Sequence, residues 1–212
     1  MKRCLVVSGG YAPHRPQEAA ARLAALLQPA MTVVHADSLS AYDDEDLESY
    51  DLIVPNWTLG EMSVATSKRL CAAVAAGVGF GGFHGGMVDG FRDNERFRFL
   101  AGGAYAAEPG GVRDYTVTIT APEDPVVAGI GDFPYRSEQY YLHVDPAVEV
   151  LAATRFNAEP YPWLDGVMMP VVWKKRFGSG RVFFSALGHV PEEFDCRPMA
   201  EILRRGLLWA AR

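Results

Sequence analysis

The sequence predicts an α/β fold: a mostly parallel central sheet with helices on both sides, carrying an added antiparallel hairpin in the C-terminal half. Three observations carry this expectation. Short apolar runs alternate with helical repeats through the first half, the first run ends abruptly in Ser8-Gly9-Gly10, and the second half changes to period-two runs with a glycine-bounded reversal. Strands separated by helices imply right-handed crossovers, hence a doubly wound arrangement.

Cys4-Leu5-Val6-Val7 is a compact apolar run, the pattern of a strand buried on both faces. A helix follows, with Pro16 suited to its first turn, Ala20, Leu23, Ala24 and Leu27 on one face, and Pro29 stopping it. Thr32-Val33-Val34-His35 is the second strand, with His35 expected in the core, and after the acidic stretch Asp43 to Glu48 comes a third at Leu52-Ile53-Val54. Ser63 to Ala76 reads as a helix with Leu70, Ala73 and Val74 on one face and Gly77 past its end; Val78 to Phe83 is the fourth strand. Further on, Tyr115 to Ile119 alternates with period two and Val148 to Ala153 is strand-like. Val171-Val172-Trp173 faces Arg181 to Phe184 across Gly178-Ser179-Gly180, a hairpin. A last helix from about Pro198 lines up Ile202, Leu203, Gly206, Leu207 and Ala210.

The 212 residues show no repeat or linker, so residues 1–212 read as one domain. With 20 Lys and Arg against 26 Asp and Glu, the net charge of −6 lacks the basic footprint that nucleic-acid phosphates require. No run approaches the ~20 apolar residues of a membrane helix. Three scattered cysteines, Cys4, Cys71 and Cys196, make neither a disulfide framework nor a CxxC metal site, and the short apolar start is unlike a signal peptide, so a cytoplasmic protein is expected.

In an open α/β sheet the ligand crevice lies beyond the carboxyl ends of the strands. Three histidines, His14, His84 and His189, fall in the loops expected there. His84 stands in Gly81-Gly82-Phe83-His84-Gly85-Gly86, a strand end flanked by small residues. That pattern suits a sharp strand-to-helix elbow presenting its central side chain, with Gly85 and Gly86 offering backbone N–H groups to an oxygen or anion. The competing reading is that the glycines only let a helix pack closely. His189 follows Leu187-Gly188 and precedes Glu192-Glu193, where a carboxylate fixes a histidine's tautomer for proton transfer; it is equally readable as a loop histidine on a carbonyl. Glu138, among aromatics, is a candidate acid or base with a raised pKa, or a partner of Arg136. His143 leads into a turn and reads as structural. Trp57, Tyr140, Tyr141, Tyr161, Trp163 and Trp173 offer flat faces for sugar rings, though core packing explains such residues equally well.

No GxGxxG, Walker A or GxSxG run is present, and no cysteine stands at a strand-to-helix elbow. No cofactor is predicted. His14, His84, His189 and Glu138 would make an N/O ligand set for a divalent metal, but no pair has the i, i+4 spacing of a metal motif, so no metal ligands are assigned.

Ser8-Gly9-Gly10, Gly82-Phe83-His84-Gly85-Gly86, Glu138-Gln139-Tyr140, Pro170 to Trp173, Gly180-Arg181-Val182-Phe183-Phe184, Leu187-Gly188-His189 and Gly206 to Ala210 together resemble the trehalose-utilisation ThuA-like family, over nearly the whole chain. The resemblance implies a flavodoxin-like three-layer sandwich of the class I glutamine amidotransferase-like superfamily, in which the elbow carries a nucleophilic Cys partnered by His and Glu. Here His84 takes that place, and His189 and Glu192 look like the remaining partners, so glutamine hydrolysis through a thiolate is not expected. The family's association with trehalose and keto-sugars implies a small-molecule carbohydrate as partner.

The expected function is therefore a carbohydrate-metabolism enzyme acting on a trehalose-like disaccharide or a keto-sugar derivative. His84, His189 and Glu138 would be its catalytic acid–base groups, with His14, Tyr141, Trp57, Gly85 and Gly86 binding substrate. The alternatives are a non-catalytic carbohydrate-binding or regulatory module on the same scaffold, and a metal-dependent version of the site. Monomer and homo-oligomer are both left open.

Overall fold

The computed structural model describes residues 1–212. Its first half follows the predicted alternation. β1 (Lys2–Gly10) leads through a 3-10 turn at Ala12–His14 to α1 (Pro16–Leu27), β2 (Met31–Ala36), α2 (Ala41–Asp44) and β3 (Leu52–Thr58). α3 (Val64–Ala75) begins at Ser63, whose Oγ accepts the Thr66 N–H at 3.0 Å, so the helix start rests on an orphan donor satisfied by a capping serine. β4 (Gly79–Phe83), α4 (Gly85–Val88) and α5 (Glu95–Ala101) complete this half.

The second half holds β5 (Gly103–Ala107), β6 (Val112–Ile119), β7 (Phe133–Glu138), β8 (Tyr141–Val144), β9 (Glu149–Arg155), β10 (Met168–Phe177), β11 (Gly180–Ser185) and α6 (Arg197–Ala210). The predicted hairpin is β10/β11: Phe177 pairs with Gly180, and Gly178 turns the chain at φ 59°, a value L side chains seldom adopt.

Nine strands form one sheet in the order β2-β1-β3-β4-β11-β10-β9-β6-β7; β5 and β8 form a separate antiparallel pair. Pairing is parallel from β2 to β11 and antiparallel beyond. This corrects the sequence reading, in which the antiparallel part is one added hairpin. That hairpin is the hinge of a mixed sheet, since β11 pairs parallel with β4 while β10 opens the antiparallel series. Residues 4 to 9 of β1 are buried on both faces, as expected of a central parallel strand. α1 and α6 contact each other over one side of the sheet, whereas α5 covers the other through Phe97 against Phe80 of β4, ring centroids 5.8 Å apart. One cluster of 55 buried apolar residues runs through both halves.

His35 is exposed rather than in the core. β2 is an edge strand, so one of its sides has no neighbouring strand to cover it. Trp173 is core: fully buried, it donates its indole N–H to Ala101 O at 3.2 Å. Trp163 is exposed and stacks on Tyr161. No helix is long and apolar enough to cross a membrane.

The sheet directions decide where chemistry can gather. β1, β3, β4 and β11 run parallel, so their carboxyl ends share one edge, with Gly10 beside Thr58 and Phe83 beside Ser185. Strand direction alternates from β11 through β10, β9 and β6, which points β7 the same way and brings Glu138, its last residue, to that edge as well. An edge of this kind is where open α/β sheets place their ligands.

Candidate functional site

The elbow predicted at His84 is present. β4 stops at Phe83, α4 starts at Gly85, and His84 between them has φ 45° and ψ −145°, backbone geometry that costs an L residue of order 1–3 kcal/mol. Two features hold it there. The His84 N–H donates to Ser185 O of β11 at 2.7 Å. Gly86 lets α4 descend onto β3, because a side chain there would meet Asn56 Cα at 2.8 Å. Asn56, itself buried, donates to Ser8 Oγ (3.1 Å) and Pro16 O (2.8 Å), tying three loops of the edge together. Both sequence readings of the glycines thus hold at once: they permit close packing, and the packing aims the histidine.

The His84 ring is almost wholly buried. Its Nδ1 lies 2.9 Å from Ala186 O, a carbonyl that can only accept, so Nδ1 carries the proton and donates. The neutral ring then presents a bare Nε2, and three groups surround it: Tyr140 Oη at 2.8 Å, His189 Nδ1 at 3.1 Å and Glu138 Oε2 at 3.2 Å. His189 Nδ1 also lies 2.9 Å from Glu138 Oε2. His14, on the 3-10 turn after β1, stands over both imidazoles with ring centroids 5.1 and 5.0 Å away, its Nδ1 bonded to Thr58 Oγ1 at 2.9 Å. Gly85 sits under this group: a side chain there would come within 2.9 Å of Thr58 Oγ1 and 3.0 Å of the His14 ring.

The electrostatics follow from this crowding. Burial acts to raise the Glu138 pKa, but the hydrogen bond from His189, with the second imidazole close by, outweighs it and holds the carboxyl well below the usual carboxylate range. This reverses the raised value expected of a carboxylate among aromatics. Arg136 pairs with Asp114 and takes no part. Burial acts to lower His189, yet its hydrogen bond to Glu138 and that residue's charge raise it above the ordinary histidine value. Burial, then the two imidazoles of His84 and His189 crowded against it, push His14 down to about 3. Tyr140 is pushed far up by burial and by the charges of Glu138, Asp89 and Glu108, so its hydroxyl remains a donor to His84.

These groups open into a cleft of about 250 Å³ lined by Tyr11, Tyr105 and Tyr140, by Asp89, Arg92 and Glu108, and by His14, Thr58 and Glu138. Arg92 binds Asp89 through two bonds of 2.6 and 3.0 Å and lies over the Tyr105 ring. Of the residues expected in the site, His14, His84, His189 and Glu138 come together. His84 and His189 lie behind the cleft lining that His14, Glu138 and Tyr140 help to form, and two others lie away from it. Tyr141 packs toward Phe156, and Tyr140, one position earlier, takes the place expected of it. Trp57 is turned onto the glycines at 9 and 60, and its neighbour Thr58 faces the cleft. Trp57 and Thr58 are successive residues of β3, whose side chains point opposite ways, whereas Tyr140 lies in the short link between β7 and β8.

Glu192 is also displaced from its expected part: it is exposed and pairs with Arg15. Glu193 is the one turned inward, accepting from the backbone N–H groups of Gly188 (3.1 Å) and His189 (2.9 Å) and from Tyr135 and Ser137 hydroxyls, while the His189 ring is partnered by Glu138. Sequence reasoning named Tyr140 only among the aromatics with flat faces for sugar rings, and it passed over Asp89, Arg92 and Glu108; the nearness of Asp89 and Arg92 to the elbow was the available signal. None of the three thiols is at the elbow: Cys4 is buried in β1, Cys71 lies in α3 and Cys196 precedes α6.

No functionally curated protein matches the chain. Among solved structures it is similar to a ThuA-like protein from Parabacteroides merdae (TM-score 0.81, 18% identity, 99% of this chain and 89% of that one). Another ThuA-like protein, from Bacteroides uniformis, gives TM-score 0.78 and 20% identity over 99% and 91% of the two chains. The fold also recurs within the β-galactosidase of Bacillus circulans, at TM-score 0.61 and 16% identity over 99% of this chain but 30% of that one. The family model described as ThuA, trehalose utilisation, matches residues 3–210, so the chain belongs to the ThuA family.

Proposed function

We propose that this chain is a cytoplasmic enzyme of carbohydrate metabolism that acts on a trehalose-like disaccharide or a keto-sugar derivative, on a flavodoxin-like scaffold. The chemistry is proton transfer by His84, His189 and Glu138. Family membership supports a carbohydrate role. The observation that carries the mechanism is the convergence on His84 Nε2, with His189 Nδ1 and Glu138 Oε2 within 3.2 Å of it, behind a cleft that Glu138 lines. A sugar carbonyl entering there meets a basic nitrogen and a proton donor on one side, the arrangement needed to remove a proton beside the carbonyl and protonate its oxygen. The elbow that would hold a thiolate in an amidotransferase holds an imidazole, so glutamine hydrolysis is not part of this reading.

The cleft is smaller than the ~300–1,000 Å³ typical of drug-sized ligands. It suits one sugar ring, with the remainder of a disaccharide lying outside. Tyr11 and Tyr105 offer flat faces to such a ring, and Asp89, Arg92 and Glu108 offer hydrogen bonds to its hydroxyls. A binding module would tolerate His84 and His189 facing apart; their contact supports catalysis instead.

The test is to incubate the protein with a panel of disaccharides and their 3-keto forms and to read the products by mass spectrometry. A product from at least one keto-disaccharide is expected. Binding of a panel member without conversion would replace the enzyme reading by the binding-module one.

A further inference from the structure

The atoms that meet beneath the cleft are all electron-pair donors, and they meet at particular separations. We infer that His84, His189, Glu138 and His14 form a binding site for one divalent first-row transition cation of the zinc, cobalt or nickel kind. The inference rests on reading this cleft as the reactive centre, and it adds the group that would meet the sugar oxygen there.

The first argument is metric. Donors each about 2.1 Å from a common ion lie about 3.0 Å apart at right angles and about 3.4 Å apart at tetrahedral angles. The triangle of His84 Nε2, His189 Nδ1 and Glu138 Oε2 has edges of 3.1, 3.2 and 2.9 Å. With His14 included, all four ligand atoms lie within 4.8 Å of one another, somewhat more than the ~4.2 Å between opposite ligands of one octahedral ion, so a small inward shift of His14 completes the set.

The second argument is the outer hydrogen bonding. Metal-bound histidines commonly donate their other ring N–H to a carbonyl or similar acceptor, which fixes the ring and exposes the ligating lone pair. His84 does so to Ala186 O, and His14 bonds Thr58 Oγ1 through Nδ1, leaving its Nε2 as the free ring nitrogen. Tyr140 shares the His84 lone pair with any ion bound there. Its ring stacks on His84 with centroids 4.2 Å apart and planes 26° apart, and its hydroxyl, 2.8 Å from Nε2, gives up that hydrogen bond when an ion takes the lone pair.

The third argument concerns what a cation would resolve. A neutral His84 with its proton on Nδ1 faces the Glu138 carboxylate lone pair to lone pair at 3.2 Å, and the single Nδ1 proton of a neutral His189 cannot serve both. A positive ion at their centre turns that opposition into coordination. Three imidazoles and one carboxylate suit borderline transition ions rather than magnesium or calcium, which prefer oxygen. The side facing Tyr11 and Tyr105 is open cleft, as a catalytic rather than structural site requires. An ion bound there supplies Lewis-acid polarisation to a sugar carbonyl or hydroxyl oxygen.

The experiment uses the full-length protein, stripped with a chelator, dialysed and titrated with Co2+ and separately with Zn2+. Co2+ is expected to produce visible absorption bands saturating at about one ion per chain, with Zn2+ displacing it. Glu138→Gln and His189→Gln are both part-exposed substitutions expected to keep the fold, checked by circular dichroism. Each should weaken Co2+ binding by more than the ~10–100-fold that loss of an outer partner costs. His143→Ala, an exposed histidine on β8, should bind as the parent does. Absence of a saturable band, or a band unchanged in both folded variants, overturns the inference. The two readings fail separately: absent metal with sugar turnover retained leaves proton transfer by the side chains alone, whereas bound metal with an inert sugar panel removes the carbohydrate reading and keeps the site.

Discussion

His84→Ala is expected to lower turnover of a keto-disaccharide by at least ~10²–10⁴-fold, the usual contribution of one positioned acid–base group. Its neighbours explain the size of the effect. His84 Nε2 is the atom on which Tyr140, His189 and Glu138 converge. The fold is expected to survive, because the elbow is also held by the His84 backbone bond to Ser185 and by the packing of Gly86 on Asn56. His84→Asn separates aim from chemistry. Its amide can still donate toward Ala186 O, as Nδ1 does, but nothing replaces Nε2. Equal loss in both variants, with melting curves close to the parent's, assigns the effect to that one nitrogen. Full activity in His84→Asn would assign it elsewhere.

Glu193→Ala is expected to destabilise the protein by about 2–4 kcal/mol, because it strips acceptors from two backbone N–H groups and two hydroxyls in a half-buried turn. For a chain of this length that corresponds to a melting temperature lower by roughly 4–16 °C. Glu193 touches no cleft atom; it is a positioning residue that fixes the turn carrying His189. Its loss should therefore lower kcat more than it raises KM, and Glu193→Gln, which keeps one acceptor oxygen, should recover part of both stability and kcat. The matching control is Glu192→Ala. Its exposed pair with Arg15 is screened by water, so the melt should not move. Equal melts for the Glu192 and Glu193 variants would show that the turn does not depend on its carboxylate.

This neighbouring pair of glutamates illustrates how far sequence reasoning reaches. The segment after Gly188 announces a carboxylate beside a histidine, but which of two successive residues faces inward depends on a 3-10 turn at Pro191–Asp195 that no periodicity reveals. The same one-position error separates Tyr141 from Tyr140. Its cause is that β7, which holds Pro134, and the short β8 gave no strand pattern to fix the facing of side chains. The parallel half was legible because its signals are local: apolar runs buried on both faces, a proline opening α1, and a serine capping α3. Glycines around a polar residue likewise made the His84 elbow readable before any coordinates.

What stayed hidden was long-range. That β2 lies at an edge and leaves His35 exposed, or that β7 returns to the edge where β4 ends, follows from strand order, which pairs residues far apart in the chain. The meeting of His14, His84, Glu138 and His189 is a consequence of that order. Their lack of helical ligand spacing argued against a metal only because the four residues come from four separate segments.

The central claim is that an imidazole at the elbow keeps its proton on Nδ1 and turns a bare Nε2 into the cleft. Long-range 1H–15N correlation spectra of protein labelled with 15N-histidine test it most directly, with His84 assigned by its disappearance in His84→Asn. The account predicts, in chelator-treated protein above the ordinary histidine range, an Nδ1–H tautomer for His84, with Nε2 at the shift of an unprotonated nitrogen. An Nε2–H tautomer there would mean that the ring donates into the cleft rather than accepting from it, and would contradict the account.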